Sequence, residues 1–376
     1  MASLSLPKVS FFLLLTTLFF HSSPCVAKTK CCITSLYQLG DSIADAGNVI
    51  RIPNAHVQAR AWGLPYGETF FKKPTGRFSD GRIIADYIAS ALSLPFLNPY
   101  LDKSGVSFSQ GANFAVAGAT ALNNSFWATR KVPLVPFNVP LPAQLEWFKS
   151  HLQSTCGTHC AQTLRNSLIV LGEFGGVDYW NSLARNMGEP EVRTYVPVVI
   201  DGILSAIRDM IQLGATRILV PGVFPFGCLS GYLTRFPNSN PNAYDQFGCL
   251  RFYNRFATYH NTKLKKALAN LQCEFPHAKI VYGDYYGAFR TIFRFAPWLG
   301  FNTSTLVSPC CRCCGGAGQC VTPGDGLCPN PTQYVNWDGL HLTDEAYHRI
   351  SDIVIKNAFP KFGCYGLGDS GVLSSS

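Results

Sequence analysis

The sequence predicts an α/β fold in which a parallel sheet is covered by helices. Short apolar runs of strand length alternate along the chain with longer segments of helical periodicity, which is typical of successive βα units. The chain has 376 residues, and no internal repeat, linker or long low-complexity segment divides it. We therefore expect residues 28–376 to form a single domain.

Five apolar runs are expected to form the sheet. They cover residues 35–39, 113–116, 167–171, 217–220 and 279–282. The first run ends at Gly40-Asp41-Ser42, and α/β folds bind ligands where the carboxyl ends of their parallel strands meet. The turn is therefore expected to place the Ser42 hydroxyl at the functional edge of the sheet, with Asp41, Asp45 and Asn48 holding the turn through side-chain bonds to the backbone.

Four segments carry the clearest helical pattern. They cover residues 81–92, 191–213, 247–272 and 344–358. In the last of them, Thr343 is a suitable N-cap, and Asp344 and Glu345 favour the positive end of the helix dipole. We expect this helix to anchor the loop that precedes it, which reads Asp338-Gly339-Leu340-His341.

That loop and the Ser42 turn together supply a nucleophile, a base and an acid. A serine hydroxyl is a weak nucleophile until an imidazole takes its proton and a carboxylate orients the imidazole. Asp338 is close enough in sequence for its carboxylate to bond one nitrogen of His341 while the other nitrogen faces Ser42. The alternative is that the three are ordinary turn and surface residues, and a lone Gly-Asp-Ser would not exclude it.

Three further segments accompany these motifs. They are residues 65–70 with 74–82, Gly111-Ala112-Asn113-Phe114-Ala115-Val116-Ala117-Gly118-Ala119, and Gly172-Glu173-Phe174-Gly175-Gly176-Val177-Asp178-Tyr179. In this order the chain resembles the plant GDSL esterases/lipases of the SGNH-hydrolase superfamily, from about Leu36 to Phe359. Within that family it is most similar to members that act on acylated specialised metabolites. The resemblance implies a flavodoxin-like three-layer sandwich with helices on both faces of a central parallel sheet.

The resemblance also implies an oxyanion hole. Its backbone donors would be the N–H groups of Ser42 and Gly118, and glycine lets its N–H approach a ligand closely. The third donor in the family is an asparagine in Gly-Gly-Asn-Asp, but this chain has Gly175-Gly176-Val177-Asp178. Valine donates no side-chain hydrogen bond, and the loss of one oxyanion donor typically costs about 10²–10³ in turnover.

The function expected from these residues is hydrolysis of a carboxylic ester through an acyl-Ser42 intermediate, with an acetyl or other short acyl ester of a small plant specialised metabolite as substrate. Two alternatives stay open. The acyl group could pass to an alcohol or amine, which would make the protein an acyltransferase. Alternatively, Val177 could leave a catalytically weakened binding protein on a hydrolase scaffold. None of these functions requires a cofactor.

The first 27 residues are expected to be a secretory signal peptide. Lys8 precedes an apolar run over residues 11–20, and Cys25-Val26-Ala27 offers small residues for cleavage after Ala27. The run is short for a bilayer span, although a membrane anchor is the alternative reading. No second apolar stretch of spanning length follows, so no stable membrane insertion is expected.

The 15 cysteines suit the oxidising surroundings that secretion implies. Cysteines at 156 and 160, at 228 and 249, and in the 310–328 cluster are expected to form local disulfides, the last within a Pro- and Gly-rich loop over residues 296–331. A zinc site in that cluster is disfavoured because no paired histidine spacing accompanies it. Asn123 and Asn302 begin N-glycosylation sequons, so N-glycans are expected.

The formal net charge is +9, without a dense basic run. Lys263, Lys265 and Lys266 lie on an expected helix and are interpreted as a solvated face. Aromatic residues are not interleaved with Arg or Lys in a stacking pattern, so nucleic-acid binding is not expected. The expected location is extracellular, in the cell wall or the vacuole, reached by the secretory pathway.

Overall fold

The computed structural model describes residues 31–53, 55, 60–135, 137–311 and 326–367. Within them one sheet has five parallel strands in the order β2-β1-β3-β4-β5. The strands are β1 (Ser35–Leu39), β2 (Gly111–Asn113), β3 (Ser167–Leu171), β4 (Arg217–Pro221) and β5 (Lys279–Gly283). The expected signal peptide, residues 1–27, lies outside the described residues.

The strand order places β1 at the point where the direction of winding reverses. The chain passes from β1 to β2 on one side, and then to β3 on the other side of β1. Strands β1 and β3 pair in full, from Ser35 opposite Ser167 to Leu39 opposite Leu171. Such a reversal leaves a crevice at the carboxyl ends of the strands, where open α/β sheets bind their ligands.

Helices cover both faces of this sheet. In chain order they are α1 (Ile84–Ala91), α2 (Asn124–Thr129), α3 (Leu141–Thr155), α4 (Cys160–Arg165), α5 (Gly176–Leu183), α6 (Glu189–Gln212), α7 (Ser230–Arg235), α8 (Arg251–Glu274), α9 (Tyr285–Arg294) and α10 (Asp344–Ala358). Helix α6 packs on α3, α5 and α8, whereas α10 packs on α1 and α9. Both α8 and α10 contact β5. The expected three-layer α/β sandwich is confirmed.

The second strand was predicted wrongly, because it ends at Asn113 and does not begin there. Phe114 and Val116 still donate backbone hydrogen bonds to the carbonyls of Gln38 and Gly40. However, the Asn113 side chain accepts from the Ala115 N–H and donates to the Ala44 carbonyl, which bends the chain out of the strand. The predicted limits of the other strands hold to within one residue.

Helix α1 begins three residues later than predicted. The Arg82 N–H donates to Asp344 at 2.5 Å, and its guanidinium pairs with the same carboxylate. This ties the preceding turn to helix α10. Asp86 then accepts from the Ile83 N–H at 3.0 Å, which starts the helix at Ile84.

The three expected local disulfides are present, and a fourth joins distant parts of the chain. Disulfides link Cys156 to Cys160, Cys228 to Cys249 and Cys310 to Cys328, and a further one links Cys31 to Cys364. Cys313, Cys314 and Cys320 lie outside the described residues. Across the described ranges, no helix has the length and apolar character needed to cross a membrane, and no cluster of three or more His, Cys, Asp or Glu side chains is arranged to hold a metal ion.

Candidate active site

The turn after β1 is held by its own acidic side chains. Asp41 Oδ1 accepts from the Ile43 N–H at 2.9 Å, and Asp45 Oδ1 accepts from the N–H groups of Gly47 and Asn48 at 2.7 and 2.6 Å. The Asn48 amide donates to the carbonyl of Asn113, at the end of β2, and to the carbonyl of Ala115 just beyond it. Such short-range acceptors suit a tight turn, and they hold Ser42 at the carboxyl end of β1.

Ser42, His341 and Asp338 lie in one hydrogen-bonded line. Ser42 Oγ is 2.7 Å from His341 Nε2, across a sequence separation of 299 residues. His341 Nδ1 is 2.7 Å from Asp338 Oδ2 and 2.9 Å from Oδ1. Because an ionised carboxylate only accepts, Nδ1 carries the proton and Nε2 accepts from the serine hydroxyl. The structure therefore brings together the three residues that the motifs singled out.

The Asp338 carboxylate is completely buried and fully hydrogen-bonded. Its Oδ1 accepts from the backbone N–H groups of Leu340 and His341 at 2.8 and 2.9 Å, and its Oδ2 accepts from the Tyr66 hydroxyl at 2.9 Å. Burial alone would raise the pKa of Asp338, but the charge of His341 and these hydrogen bonds outweigh it and hold the pKa below its ordinary value. The carboxylate therefore remains ionised beside the imidazole.

Two aromatic residues that position the imidazole and its carboxylate were not identified from the sequence. Tyr66 is fully buried and donates to Asp338 from a segment far away in sequence. Phe78 packs against the His341 ring with their centroids 4.6 Å apart. Both lie in segments quoted for the family resemblance, so a signal was present, but neither side chain indicates by itself that it contacts Asp338 or His341.

The two expected backbone donors of the oxyanion hole are available to a ligand. Ser42 and Gly118 line the same cavity, and in the described part of the chain neither N–H donates to a protein acceptor. Gly118 has a φ of +82°, and a Cβ there would lie 2.7 Å from Val135 Cγ2. Glycine is therefore required at position 118 both by backbone conformation and by space.

Val177 occupies the sequence position at which the family resemblance implies an amide donor. It lies in the first turn of α5, is half-buried, and lines the cavities beside Ser42 and His341. Its isopropyl group gives this wall of the site an apolar surface and no side-chain hydrogen-bond donor.

Two cavities meet at the serine and the histidine. The first, of about 60 Å³, has aromatic walls with a buried carboxyl at one side, and is lined by Trp180, Phe224, Phe226, Tyr232 and Glu173 among others. The second, of about 180 Å³, extends past the expected oxyanion donors, and its lining includes Phe78, Gly118, Val135, Phe137 and Asn181. An ester whose carbonyl carbon lies at Ser42 can therefore place its acyl part in one cavity and its alcohol part in the other.

Two buried carboxyl groups lie next to the reacting atoms. Glu173 is 3% exposed, and its Oε2 accepts from the Phe224 N–H at 3.4 Å. Burial, together with the nearby charge of Asp41, raises the pKa of Glu173 well above its ordinary value. Burial also raises the pKa of Asp41 to about 7. Both groups therefore take up protons more readily in the folded protein than in the unfolded chain.

The remaining residues considered in the sequence analysis lie away from this site. Asn123 and Asn302 are exposed, as glycan acceptors must be. His348 of α10 stacks on the buried Tyr87 of α1 with centroids 4.8 Å apart, which agrees with a structural role. Lys263, Lys265 and Lys266 are exposed on α8, as predicted.

A serine, a histidine and a buried aspartate aligned at the carboxyl edge of a parallel sheet define an α/β serine hydrolase. A sequence profile described as GDSL-like lipase/acylhydrolase matches residues 36–354. The chain belongs to this family, and the resemblance noted from its motifs is confirmed.

Characterised relatives extend over nearly the whole chain. An acetylajmalan esterase of Rauvolfia serpentina is 45% identical over 344 residues, which cover 89% of this chain and 88% of the relative. A sinapine esterase of Brassica napus is 39% identical over 337 residues, which cover 86% of each chain. The family match and these esterase relatives show that the protein is a carboxylic ester hydrolase.

Proposed function

We propose that this protein is a secreted esterase that removes an acetyl or other short acyl group from a small plant specialised metabolite, through an acyl-Ser42 intermediate. The observation that carries the proposal is the 2.7 Å contact between Ser42 Oγ and His341 Nε2, with Asp338 bonded behind the imidazole. This arrangement can remove the proton from the serine as it attacks a carbonyl carbon.

The reaction proceeds in two halves. In the first half Ser42 Oγ attacks the ester carbonyl, His341 takes the hydroxyl proton and returns it to the leaving alcohol, and the acyl group stays on Ser42. In the second half water attacks the acyl-enzyme with His341 again as base, and the acid leaves. Asp338 stabilises the imidazolium in each half, and the N–H groups of Ser42 and Gly118 bind the oxyanion.

The substrate class rests on the relatives and on the size of the site. The two relatives named above are, by their names, esterases of acetylajmalan and of sinapine, both small molecules. The narrower cavity, of about 60 Å³, suits a short acyl group better than a long chain. The wider cavity, of about 180 Å³, suits the larger alcohol part.

Secretion and glycosylation are part of the same proposal. Residues 1–27 have the pattern of a signal peptide, and four disulfides in the described residues suit an oxidising compartment. The sequon asparagines Asn123 and Asn302 are exposed. The destination would be the cell wall, another extracellular space or the vacuole.

Acyl transfer is the second candidate, and Val177 is the observation that favours it. An apolar wall next to Ser42 disfavours an attacking water in comparison with an alcohol or amine carried by an acceptor molecule. With a labelled short-chain ester and candidate acceptors, esterase activity releases labelled acid, whereas transfer gives labelled ester or amide. A catalytically weakened binding protein, the remaining alternative, would release no labelled acid and form no labelled ester or amide.

Replacing the nucleophile tests the mechanism. Ser42→Ala should abolish turnover of short-chain aryl esters and labelling by a serine-directed phosphonate, since only the attacking oxygen is lost. Ser90→Ala, which removes an exposed serine hydroxyl of α1, is the matched control and should keep both. Undiminished hydrolysis by folded Ser42→Ala protein would contradict the mechanism.

His341→Ala should lose nearly as much activity as Ser42→Ala. The double variant should be little worse than either single variant, because such residues act as a unit.

A further inference from the structure

The two cavities at the catalytic serine share part of their lining. Among the described residues, Ser42, Val177, Trp180, Leu340 and His341 line both of them. Apart from the catalytic pair, these side chains form the boundary at which the cavities meet, and the Trp180 indole is the largest of them. Trp180 is half-buried, so it has accessible surface that a bound substrate can contact.

The indole is held in place by other aromatic rings. It packs edge-on against Tyr232, with centroids 4.8 Å apart, and against Phe236, with centroids 6.3 Å apart. Tyr232 is buried and stacks on the buried Phe226 at a centroid distance of 5.2 Å. Aromatic pairs in such arrangements attract each other beyond the area that they bury. Trp180 therefore has a defined position at the boundary.

The aromatic walls of the narrower cavity, of about 60 Å³, belong to the core. Phe224, Phe226 and Tyr232 line this cavity and are buried. Such side chains give way only at a cost, because protein interiors are close-packed. A longer occupant of the cavity must therefore extend toward the second cavity, and Trp180 lies at that boundary.

We propose that Trp180 is a specificity-determining residue whose indole closes the narrower cavity and limits the length of the acyl group. The substrates it favours carry an acyl chain that ends before the indole, whereas a longer chain meets the ring. This inference rests on the proposed function, in which Ser42 attacks the ester and the acyl part occupies the narrower cavity.

Two series of esters test the proposal. In the acyl series, 4-nitrophenyl acetate, butanoate and hexanoate share one alcohol part. In the alcohol series, ethyl, butyl and hexyl acetate share one acyl part. For the unmodified protein we expect kcat/KM to be lower for the hexanoate than for the acetate by about 10-fold or more, since one methylene group too many in a tight pocket already costs about 10-fold.

Smaller side chains at position 180 should admit longer acyl groups. Trp180→Leu should raise the ratio of kcat/KM for hexanoate over acetate by about 10-fold or more, since each further methylene group that is buried contributes about 4-fold. Trp180→Phe keeps an aromatic wall of smaller size and should give a smaller rise. The ratios in the alcohol series should change little. Trp298→Leu, at a tryptophan that is 80% exposed, is the matched control and should leave both series unchanged.

A merely structural role for Trp180 gives a different result. In that case kcat/KM falls by the same factor for every ester, and the ratios stay as they are in the unmodified protein. Labelling by a serine-directed phosphonate shows that Ser42 remains reactive in each variant. Unchanged ratios in labelled Trp180→Leu and Trp180→Phe protein would overturn the proposal. A shift confined to the alcohol series would also overturn it, because the indole would then border the alcohol part.

Binding to Ser42→Ala protein provides a readout that does not depend on turnover. In calorimetry with the three 4-nitrophenyl esters, adding Trp180→Leu to Ser42→Ala should raise the affinity for the hexanoate relative to the acetate by a similar factor. The same relative affinities in both proteins would contradict the proposal. If the unmodified protein hydrolyses no ester but the shift in binding is present, Trp180 limits the length of the bound group and the esterase mechanism is contradicted instead.

Discussion

At the scale of single residues, the imidazole of His341 is held on three sides. Asp338 binds its Nδ1, Ser42 meets its Nε2, and Phe78 packs against the ring with a centroid distance of 4.6 Å. The aspartate in turn depends on the Tyr66 hydroxyl and on two backbone N–H groups. This preorganisation means that little rearrangement is needed before proton transfer.

Val177, at the position where the family resemblance implies an oxyanion donor, gives the first prediction. Val177→Asn should raise turnover of a generic short-chain ester by about 10-fold or more, a partial recovery of the 10²–10³ that one donor can supply. If the apolar wall instead shapes a specialised pocket, the gain on the generic ester should come with a loss on the native substrate. Measurement of kcat/KM on both esters separates these cases.

Val177→Leu is the control for this substitution, because it changes the shape of the side chain without adding a donor, and it should give no gain. If Val177→Asn folds and labels normally but gains nothing on any ester, position 177 does not point at the oxyanion. The role carried over from the family would then be wrong for this chain.

Tyr66 gives the second prediction at this scale. Tyr66→Phe removes the donor to Asp338 Oδ2 and leaves the buried ring in place. Without this donor the carboxylate that orients His341 is held less firmly, so we expect kcat/KM to fall by about 10-fold, less than the roughly 10²-fold that a 1 Å misplacement can cost. The acid limb of the pH–rate profile should move to higher pH, because the less satisfied carboxylate holds the imidazolium more strongly.

Tyr365→Phe, at an exposed tyrosine, is the matched control. Neither kcat/KM nor the pH–rate profile should change in this variant. A lower rate for Tyr66→Phe with an unmoved profile would indicate a packing role only.

At the scale of elements, helix α10 and the turn before α1 hold the histidine loop. Asp344, at the start of α10, pairs with Arg82 at 3.0 Å and accepts from the Tyr87 hydroxyl at 2.9 Å. Thr343 caps the helix, accepting from the Ala346 N–H at 3.2 Å and donating to the Tyr334 carbonyl at 2.7 Å. The loop with Asp338 and His341 is therefore fixed at the point where it enters the helix.

The third prediction concerns this cap. Thr343→Val keeps the shape of the side chain but removes both hydrogen bonds, and should lower the free energy of unfolding by about 1–2 kcal/mol. Thr343→Ser keeps the hydroxyl and should recover most of that loss. Chemical denaturation measures the stability, and we also expect reduced ester turnover because His341 lies two residues before the cap. Equal stability of the Val variant and the unmodified protein would contradict the role of the cap.

At the scale of the whole molecule, the fold gathers buried acids from distant segments at one edge of the sheet. Asp41 follows β1 and Glu173 follows β3, while Asp80 accepts from the Asp344 N–H at 2.7 Å. Burial raises the pKa of Asp80 to about 7, as it does for Asp41, and raises the pKa of Glu173. These groups make the pH dependence of stability a property of the assembled fold.

The fourth prediction follows from the sign of these shifts. Where the folded pKa exceeds the unfolded pKa, the folded state binds more protons, so stability falls as the pH rises from about 4 to about 7. Burial lowers the pKa of His151 to about 4 and of His260 to about 3, which opposes this fall up to about pH 6.5, and the lowered pKa of Asp338 opposes it below about pH 4. The buried acids are more numerous, since the pKa values of Asp45, Asp178 and Glu173 are raised as well. Scanning fluorimetry should therefore show a Tm lower by about 5 °C or more at pH 8 than at pH 5.

Asp80→Asn tests the contribution of one group, since the amide oxygen can still accept from the Asp344 N–H. In this variant the decrease of Tm between pH 5 and pH 8 should be smaller. A Tm that rises from pH 5 to pH 8 would show that the buried acids do not dominate.

The sequence by itself determined what depends on short stretches of chain. Helix limits at Asp344–Ala358, the turn that carries Ser42, and the local disulfide between Cys156 and Cys160 all follow from capping, turn chemistry or close spacing. The pairing of Asp338 with His341 is also local, since three positions separate them.

The tertiary structure alone decided the long-range contacts. The approach of Ser42 to His341 spans 299 residues, that of Tyr66 to Asp338 spans 272, and the Cys31–Cys364 disulfide spans 333. Such contacts depend on strand order and on which segments the sheet brings to one edge, and local residue preferences carry no information about either.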